Sequence, residues 1–439
     1  MSVNRAGIFI GLVGENKIKL QTRSFELKNL IITFYTLFIF VYFFAGVSSR
    51  STNAILLLLT LMWYVLTFVL DFNTFLKVFN SFFWLFYLFF LAFITVFSLL
   101  LFSPPEEIYK AIGQYLIFFL PFTVFLYYRE VEDKQYIRML TVGLIIAITV
   151  IIFMALSFYS RHEENVARAL ASNPYRYGKI AIGGGYGLAY ACLIIFILCL
   201  DWLLKRHIRK LVFNIFLILL AVLSLMVVVE TKSTITLITL VFGTGAVIFL
   251  NLIKKRRSPV AIILTSVLLI GMAVFLIYSK DIGTYIAQST AGAKDIVIKR
   301  FHEIGVTLSG DATTGDNLDA VARGNAIMLS IRTFLENPLI GVGSSYAFLF
   351  PTTAVTGNHS EIFDSLAKFG LIGGVPYFAM VYCIFKEEFK SIKKRLSIAF
   401  VLALIFLAFL NPIFIIQLHI VLLFLVPASI MCLGDDTVL

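Results

Sequence analysis

Apolar runs of about 20 residues alternate with short polar segments along most of the chain. A helix of that length crosses the hydrocarbon core of a bilayer and satisfies its own backbone hydrogen bonds there. Twelve such runs predict twelve transmembrane helices, at 30–48, 54–74, 79–102, 111–128, 139–158, 179–203, 211–230, 233–253, 259–279, 361–385, 396–415 and 418–434. The pattern therefore predicts an all-α polytopic membrane protein with one integral membrane domain, residues 1–439.

Basic residues collect in alternate segments between the runs. Five Lys or Arg residues precede the first run, and further groups lie near 129–138, 205–210, 254–257 and 386–395. Because basic residues favour the cytoplasmic side, residues 1–29 form a predicted cytoplasmic segment, and both termini are expected in the cytoplasm. No cleavable signal peptide is expected, because residues 1–29 lack a short apolar core followed by small residues.

Two outer segments are longer than the rest. The third outer loop, 159–178, is basic, and the fifth, 280–360, is the only large polar segment, between the ninth and tenth helices. Within it, 309–319 reads as a flexible connector and 320–336 has a helical pattern that ends at Asn337-Pro338. Gly341 and Gly343 then demand a tight backbone. We expect a folded, partly helical extracytoplasmic lid that lies on the membrane.

Composition excludes several classes of protein. Hydrophobic residues make up 60% of the chain and charged residues 14%, too apolar for a soluble protein. The formal net charge of +11 is explained by basic flanks of membrane helices, so no nucleic-acid partner is expected. All four cysteines lie in apolar runs, and we expect neither a disulfide framework nor a metal site. No phosphate-binding loop or dinucleotide fingerprint is present, and no cofactor is expected.

The stretch from Asn358 to Gly374 reads N-H-S-E-I-F-D-S-L-A-K-F-G-L-I-G-G and begins a predicted helix. Asn358 is the predicted cap, and Glu361 could close a capping box. His359 would then lie beside free N–H groups, where an anion binds and a neutral imidazole can act as a general base. The alternative is an ordinary helix cap that faces water.

Arginines on the predicted outer face are the candidate anion partners. Arg176, Arg323 and Arg332 lie on the same side as His359, and guanidinium groups match pyrophosphate oxygens. The alternative for each is contact with lipid headgroups. Lys232 opens the eighth run and could contact an anionic substrate or reach the headgroups. Asp364 and Lys368 are spaced to pair with each other.

These motifs resemble those of the O-antigen ligase and Wzy-type polymerase superfamily. His359-Ser360, nine residues, and then Gly370-Leu-Ile-Gly373 fits the pattern H-[N/S/Q]-x9-G-x-x-G of that superfamily. The segment from Arg323 through Glu336 to Gly343 is similar to the one that precedes the histidine in its members. Many members carry Ser-Arg where this chain has Ser233-Thr234, so Lys232 is the available substitute.

The resemblance implies a metal-independent glycosyltransferase of the GT-C type in the plasma membrane. The implied donor is an oligosaccharide on undecaprenyl pyrophosphate, used at the extracytoplasmic face. His359 would deprotonate the acceptor hydroxyl, while Arg176 and Arg323 engage the pyrophosphate and Arg332 assists. Asn358, Ser360, Glu361, Gly341, Gly343, Gly370 and Gly373 would support the site.

Two reactions are known within the superfamily. A polymerase extends lipid-linked repeats for capsule, exopolysaccharide or O-antigen, whereas a ligase moves the finished glycan to lipid A core or another acceptor. Arg176-x10-Gly187 and Arg332-x10-Gly343 resemble paired motifs of the polymerases and favour polymerisation. A transporter or flippase is the second alternative, but the chain lacks a clear internal repeat. Candidate partners are membrane lipid, a chain-length regulator and a flippase.

Overall fold

A computed structural model describes the helical framework of the protein. The residues that it describes are 50–100, 134–159, 185–205, 211–231, 233–254, 278–290, 318–343, 356–391 and 398–413, with isolated positions in 26–30 and 105–130 and at 302.

Eleven helices form the described part of the chain, and no strand occurs there. They are α1 (Arg50–Leu70), α2 (Phe72–Phe79), α3 (Phe82–Leu100), α4 (Lys134–Tyr159), α5 (Gly185–Lys205), α6 (Leu211–Glu230), α7 (Thr234–Lys254), α8 (Ser279–Thr290), α9 (Leu318–Glu336), α10 (Glu361–Ser391) and α11 (Ile398–Leu410). The prediction of an all-helical protein is confirmed for this part.

Three stretches are long and apolar enough to cross a membrane, judged by length and composition. They are Phe82–Leu100, Tyr186–Leu204 and Glu361–Cys383, within the described residues. Nearly all of the predicted runs at 30–48 and 259–279 lie outside the described residues, as do all of 418–434 and most of 111–128.

The predicted run at 54–74 is interrupted. Helix α1 ends at Leu70, and α2 begins at Phe72 because the side chain of Asp71 accepts a hydrogen bond from the amide of Thr74 at 3.4 Å. Asp71 also accepts a hydrogen bond from the hydroxyl of Tyr127 at 3.0 Å. An aspartate at a helix start satisfies N–H groups that the helix itself leaves open. The single predicted helix is therefore two.

Helix α5 lies at the centre of the bundle. Its apolar side chains are buried on every side, as a helix without a polar face requires. It packs against α6 and α7, and α7 in turn packs against α11. On α3, Phe83, Tyr87, Phe90 and Ile94 form a buried stripe at helical spacing, and the opposite side is exposed.

The candidate site is carried by α10, which packs on α3 and on α9. Helix α9 confirms the helix predicted at 320–336, with a start two residues earlier. It ends at Asn337-Pro338, because proline cannot donate the next helical hydrogen bond.

Candidate active site

One serine of α9 forms hydrogen bonds with the start of α10 and with the segment before it. Ser330 is fully buried, and its hydroxyl donates to Oδ1 of Asp364. The same hydroxyl oxygen accepts a hydrogen bond from the amide of Gly357 at 2.9 Å. A Cβ at Gly357 would lie 2.2 Å from the carbonyl oxygen of Ala326, so only glycine permits this approach. The segment before His359 is thereby fixed to α9.

The cap of α10 is Ser360 and not Asn358, which corrects the sequence prediction. The Ser360 hydroxyl accepts from the amide of Phe363 at 3.3 Å, and its own amide donates to Oδ2 of Asp364 at 3.0 Å. Asn358 instead adopts a left-handed conformation with φ 54°, which asparagine tolerates better than most residues. Both residue types are good caps, and the turn at Asn358 decides between them.

Asp364 and Lys368 do not form the pair that their spacing predicted. The carboxylate of Asp364 is buried and already accepts from Ser330 and from its own helix start. The ammonium group of Lys368 donates to Oδ1 of Asn358 at 3.2 Å. Asp364 therefore joins α9 to α10, and Lys368 holds the residue that precedes the histidine.

Glu361 does not close the predicted capping box. Its carboxylate accepts from the hydroxyl of Tyr377 at 2.6 Å and from that of Ser365 at 3.2 Å. Residues 16 apart on a straight helix are separated by about 24 Å, so this contact requires a sharp bend between them. The bend lies at Gly370, where φ is 56° and ψ is −158°.

The broken ends of α10 are satisfied by the turn that follows α9. The amides of Val342 and Gly343 donate to the carbonyl oxygens of Ala367 and Lys368, at 3.0 and 2.8 Å. In the other direction, the amides of Leu371 and Ile372 donate to the carbonyl oxygens of Pro338 and Leu339, at 2.8 and 2.9 Å. We call residues 338–343 and 367–372 together the glycine joint.

The glycine pair that follows α9 and the glycine pair within α10 make this joint possible. A Cβ at Gly341 would lie 2.5 Å from the carbonyl oxygen of Lys368, and one at Gly370 would lie 2.4 Å from that of Leu339. Gly341 and Gly343 also have positive φ angles, 67° and 85°. Gly373 faces α3, where a Cβ would lie 2.3 Å from the ring of Phe93. The tight backbone predicted at Gly341 and Gly343 is confirmed.

Two helices that sequence reasoning did not connect to the site also support it. The hydroxyl of Ser360 donates to the carbonyl oxygen of Ala408 at 3.3 Å, and the amide of Glu361 donates to that of Asn411 at 3.3 Å. The side-chain amide of Asn411 donates to the hydroxyl of Tyr190 on α5. The sequence offers only Asn411-Pro412 after an apolar run, a signal that marks a helix end and not a contact.

His359 is half-buried and lies between the left-handed Asn358 and the buried Ser360. Its neighbours in the chain are bonded to α9, α10 and α11. The backbone on both sides of the imidazole is therefore held by tertiary contacts, which suits a group that must meet a substrate in a defined position.

The predicted arginines do not all lie together. The backbone of Arg323 is in α9, seven positions before Ser330, and that spacing places the two positions on the same helix face. Arg332 lies on another face, with a side chain 78% exposed that donates to Glu336 at 2.8 Å. Arg176 lies outside the described residues.

Lys232 also lies outside the described residues, but the positions on both sides of it are buried. Thr231 and Ser233 are almost fully inaccessible, and the hydroxyl of Thr236 donates to that of Ser233 at 2.8 Å. The start of α7 is therefore a buried polar region next to the predicted substrate-binding lysine.

Comparison with known families adds an independent observation. Residues 219–378 match the family model described as O-antigen ligase. This stretch of the chain is similar to an O-antigen ligase domain. A search of curated proteins gave no match.

The matched residues contain the central part of the site described above. They begin within α6 and end one residue after Tyr377, so they include α9, His359, the glycine joint and the bend in α10. Helices α3, α5 and α11 lie outside the matched residues but pack against them, and α11 accepts a hydrogen bond from Ser360 through the carbonyl oxygen of Ala408. The match supports the resemblance to the O-antigen ligase/Wzy superfamily over residues 219–378, and the apolar helices indicate a membrane protein.

Proposed function

We propose that this protein polymerises lipid-linked oligosaccharide repeat units, as a metal-independent glycosyltransferase with an undecaprenyl-pyrophosphate-linked donor. The observation that carries the proposal is the position of His359 within the residues that match the O-antigen ligase family. The histidine lies two residues before the first residue of α10, and its flanking residues are bonded to α9, α10 and α11. The proposal includes twelve transmembrane helices, cytoplasmic termini and an active site at the extracytoplasmic face of the plasma membrane.

In the proposed reaction, His359 accepts the proton of a sugar hydroxyl on the acceptor. The hydroxyl oxygen forms a bond to the anomeric carbon of the donor glycan, and the bond from that carbon to the pyrophosphate oxygen breaks. Undecaprenyl pyrophosphate leaves with the electron pair. Arg323 and Arg176 would stabilise its negative charge, as would Lys232. Nε of Arg332 already donates to Glu336, so the Nη groups are the donors with which Arg332 would assist.

Replacement of His359 tests the reaction. In cells that produce the polymer, His359→Ala should leave the amount of membrane protein unchanged while single lipid-linked repeats accumulate and long chains disappear from gels. Loss of a general base typically lowers a rate by about 10²–10⁴-fold. His302→Ala is the matched control, because His302 lies in the same predicted outer segment and contacts α8 through the carbonyl oxygen of Ala287. Normal polymer length in the His359 variant would refute the catalytic role.

O-antigen ligation is the second candidate, favoured by the description of the matching family. A deletion strain separates the two reactions. Single repeats on the final acceptor indicate a missing polymerase, whereas long lipid-linked chains without an acceptor indicate a missing ligase. A transporter would instead leave repeats on the cytoplasmic side of the membrane.

A further inference from the structure

Helix α9 has three faces with different chemistry. The first, with Ala326, Ser330 and Thr333, lies against α10 and the segment that leads to His359. The second is polar and exposed, with Asn325 and the ion pair of Arg332 and Glu336. The third is apolar and includes Ile327, Met328, Ile331, Phe334 and Leu335.

The outer part of the apolar face is exposed, whereas Ile327, Ile331 and Phe334 are half-buried. Leu335 is 69% exposed, and Met328 is also exposed. The turn after α9 extends this surface with Leu339, 62% exposed, and Ile340. Polar hydroxyls thus point inward while leucine and methionine point outward, the reverse of a helix on a water-soluble protein. A contiguous apolar surface of this kind marks an interaction site.

The apolar surface of α9 is continuous with the exposed apolar side of α10, and this continuity indicates what covers it. The carbonyl oxygen of Leu339 accepts from the amide of Ile372, which places the turn directly beside α10. There, Leu371, Ile372 and Val375 are exposed on a stretch apolar enough to cross a membrane. The apolar face of α9 therefore continues the outward surface of that helix.

We propose that the apolar face of α9, together with Leu339 and Ile340, is embedded among the acyl chains of one membrane leaflet. The polar face with Asn325, Arg332 and Glu336 then meets headgroups and water. The ion pair lowers the cost of charge beside the acyl chains. Helix α9 is in this arrangement an interfacial helix, anchored to lipid on one face and to the histidine segment on another. The inference does not depend on the proposed reaction.

Fluorescence quenching in lipid nanodiscs tests the arrangement, with one full-length protein per disc. Single cysteines at Leu335, Leu339 and Asn325 carry a bimane label, with Val375→Cys as the reference on α10. Cys383 and Cys432 are replaced by alanine, whereas Cys192 and Cys199 are buried and stay. Two quenchers are compared: phosphatidylcholine with a doxyl group on its acyl chain, and aqueous iodide.

The expected result is a loss of fluorescence at Leu335→Cys and Leu339→Cys with doxyl lipid, similar to that at Val375→Cys, and strong iodide quenching only at Asn325→Cys. Iodide quenching of positions 335 and 339 as strong as at 325 would place the face in water and overturn the proposal. Protection from both quenchers would mean that protein covers it, with the same consequence. Removal of the doxyl effect by added undecaprenyl phosphate would identify an isoprenoid site instead.

Discussion

Replacing Gly370 with alanine tests whether the glycine joint holds α9 onto α10. The backbone of Gly370 (φ 56°, ψ −158°) lies in a region that costs a residue with a side chain about 1–3 kcal/mol. The added Cβ would also lie 2.4 Å from the carbonyl group of Leu339 and 2.5 Å from the amide of Gly341. The turn must then move away, and the two bonds to Leu371 and Ile372 are lost at about 0.5–1.5 kcal/mol each.

These contributions give about 2–6 kcal/mol for the opening of the joint. Even the lower value raises the population of the open joint about 30-fold, at a factor of ten for every 1.36 kcal/mol. Hydrogen–deuterium exchange measures this directly at the four amides of Val342, Gly343, Leu371 and Ile372, which donate across the joint. Their exchange should accelerate together by at least that factor, whereas amides in the middle of α5 should not change.

Gly324→Ala is the control for this experiment. Gly324 is on α9, and a Cβ there would meet nothing within 4 Å. Alanine in a helix is more stable than glycine by about 0.5–1 kcal/mol, so the control should exchange as slowly as the parent protein or more slowly. If Gly370→Ala leaves the four amides as protected as they are in the parent, the joint does not depend on glycine and the reasoning is wrong.

Two further variants test the contacts around the start of α10. Ser330→Ala leaves the buried carboxylate of Asp364 without one donor, which should cost about 1–3 kcal/mol and appear as a lower thermal midpoint in nanodiscs; an unchanged midpoint would contradict a structural role for the serine. Tyr377→Phe removes the donor to Glu361 and should cost about as much. Tyr382→Phe, at an exposed position, should have no effect on the midpoint, and an equal loss in both tyrosine variants would refute the bend contact.

Helix content could be predicted because hydrophobicity alone carries that signal. The run at 211–230 gave α6 with the same boundaries, and 233–253 gave α7 within one residue. The run at 54–74 was wrong as a single helix because Asp71, one polar residue in a long apolar stretch, caps a second helix. Hydropathy averages over about 20 residues and cannot detect one capping contact.

The candidate site was predicted in its parts but not in its arrangement. The pattern of His359, Gly370 and Gly373 was sufficient to indicate the resemblance to the superfamily, which the match over residues 219–378 supports. The roles of Asn358 and Glu361 in the cap were wrong, because their side chains accept hydrogen bonds from Lys368, ten residues further on, and from Tyr377, 16 residues away. Neither donor is visible at the short spacings on which capping patterns depend.

The sequence by itself determined the membrane class, the helical periodicity and the resemblance to the superfamily, since each depends on residues close together in the chain. Tertiary structure decided why the motif glycines occur where they do. Gly341 and Gly370 are 29 positions apart, yet a Cβ added at either one would collide with the backbone of the other segment. Their backbones exchange hydrogen bonds that a broken helix would otherwise leave open. Such close packing depends on tertiary contacts between segments that are far apart in the chain, and the local sequence pattern does not reveal those contacts.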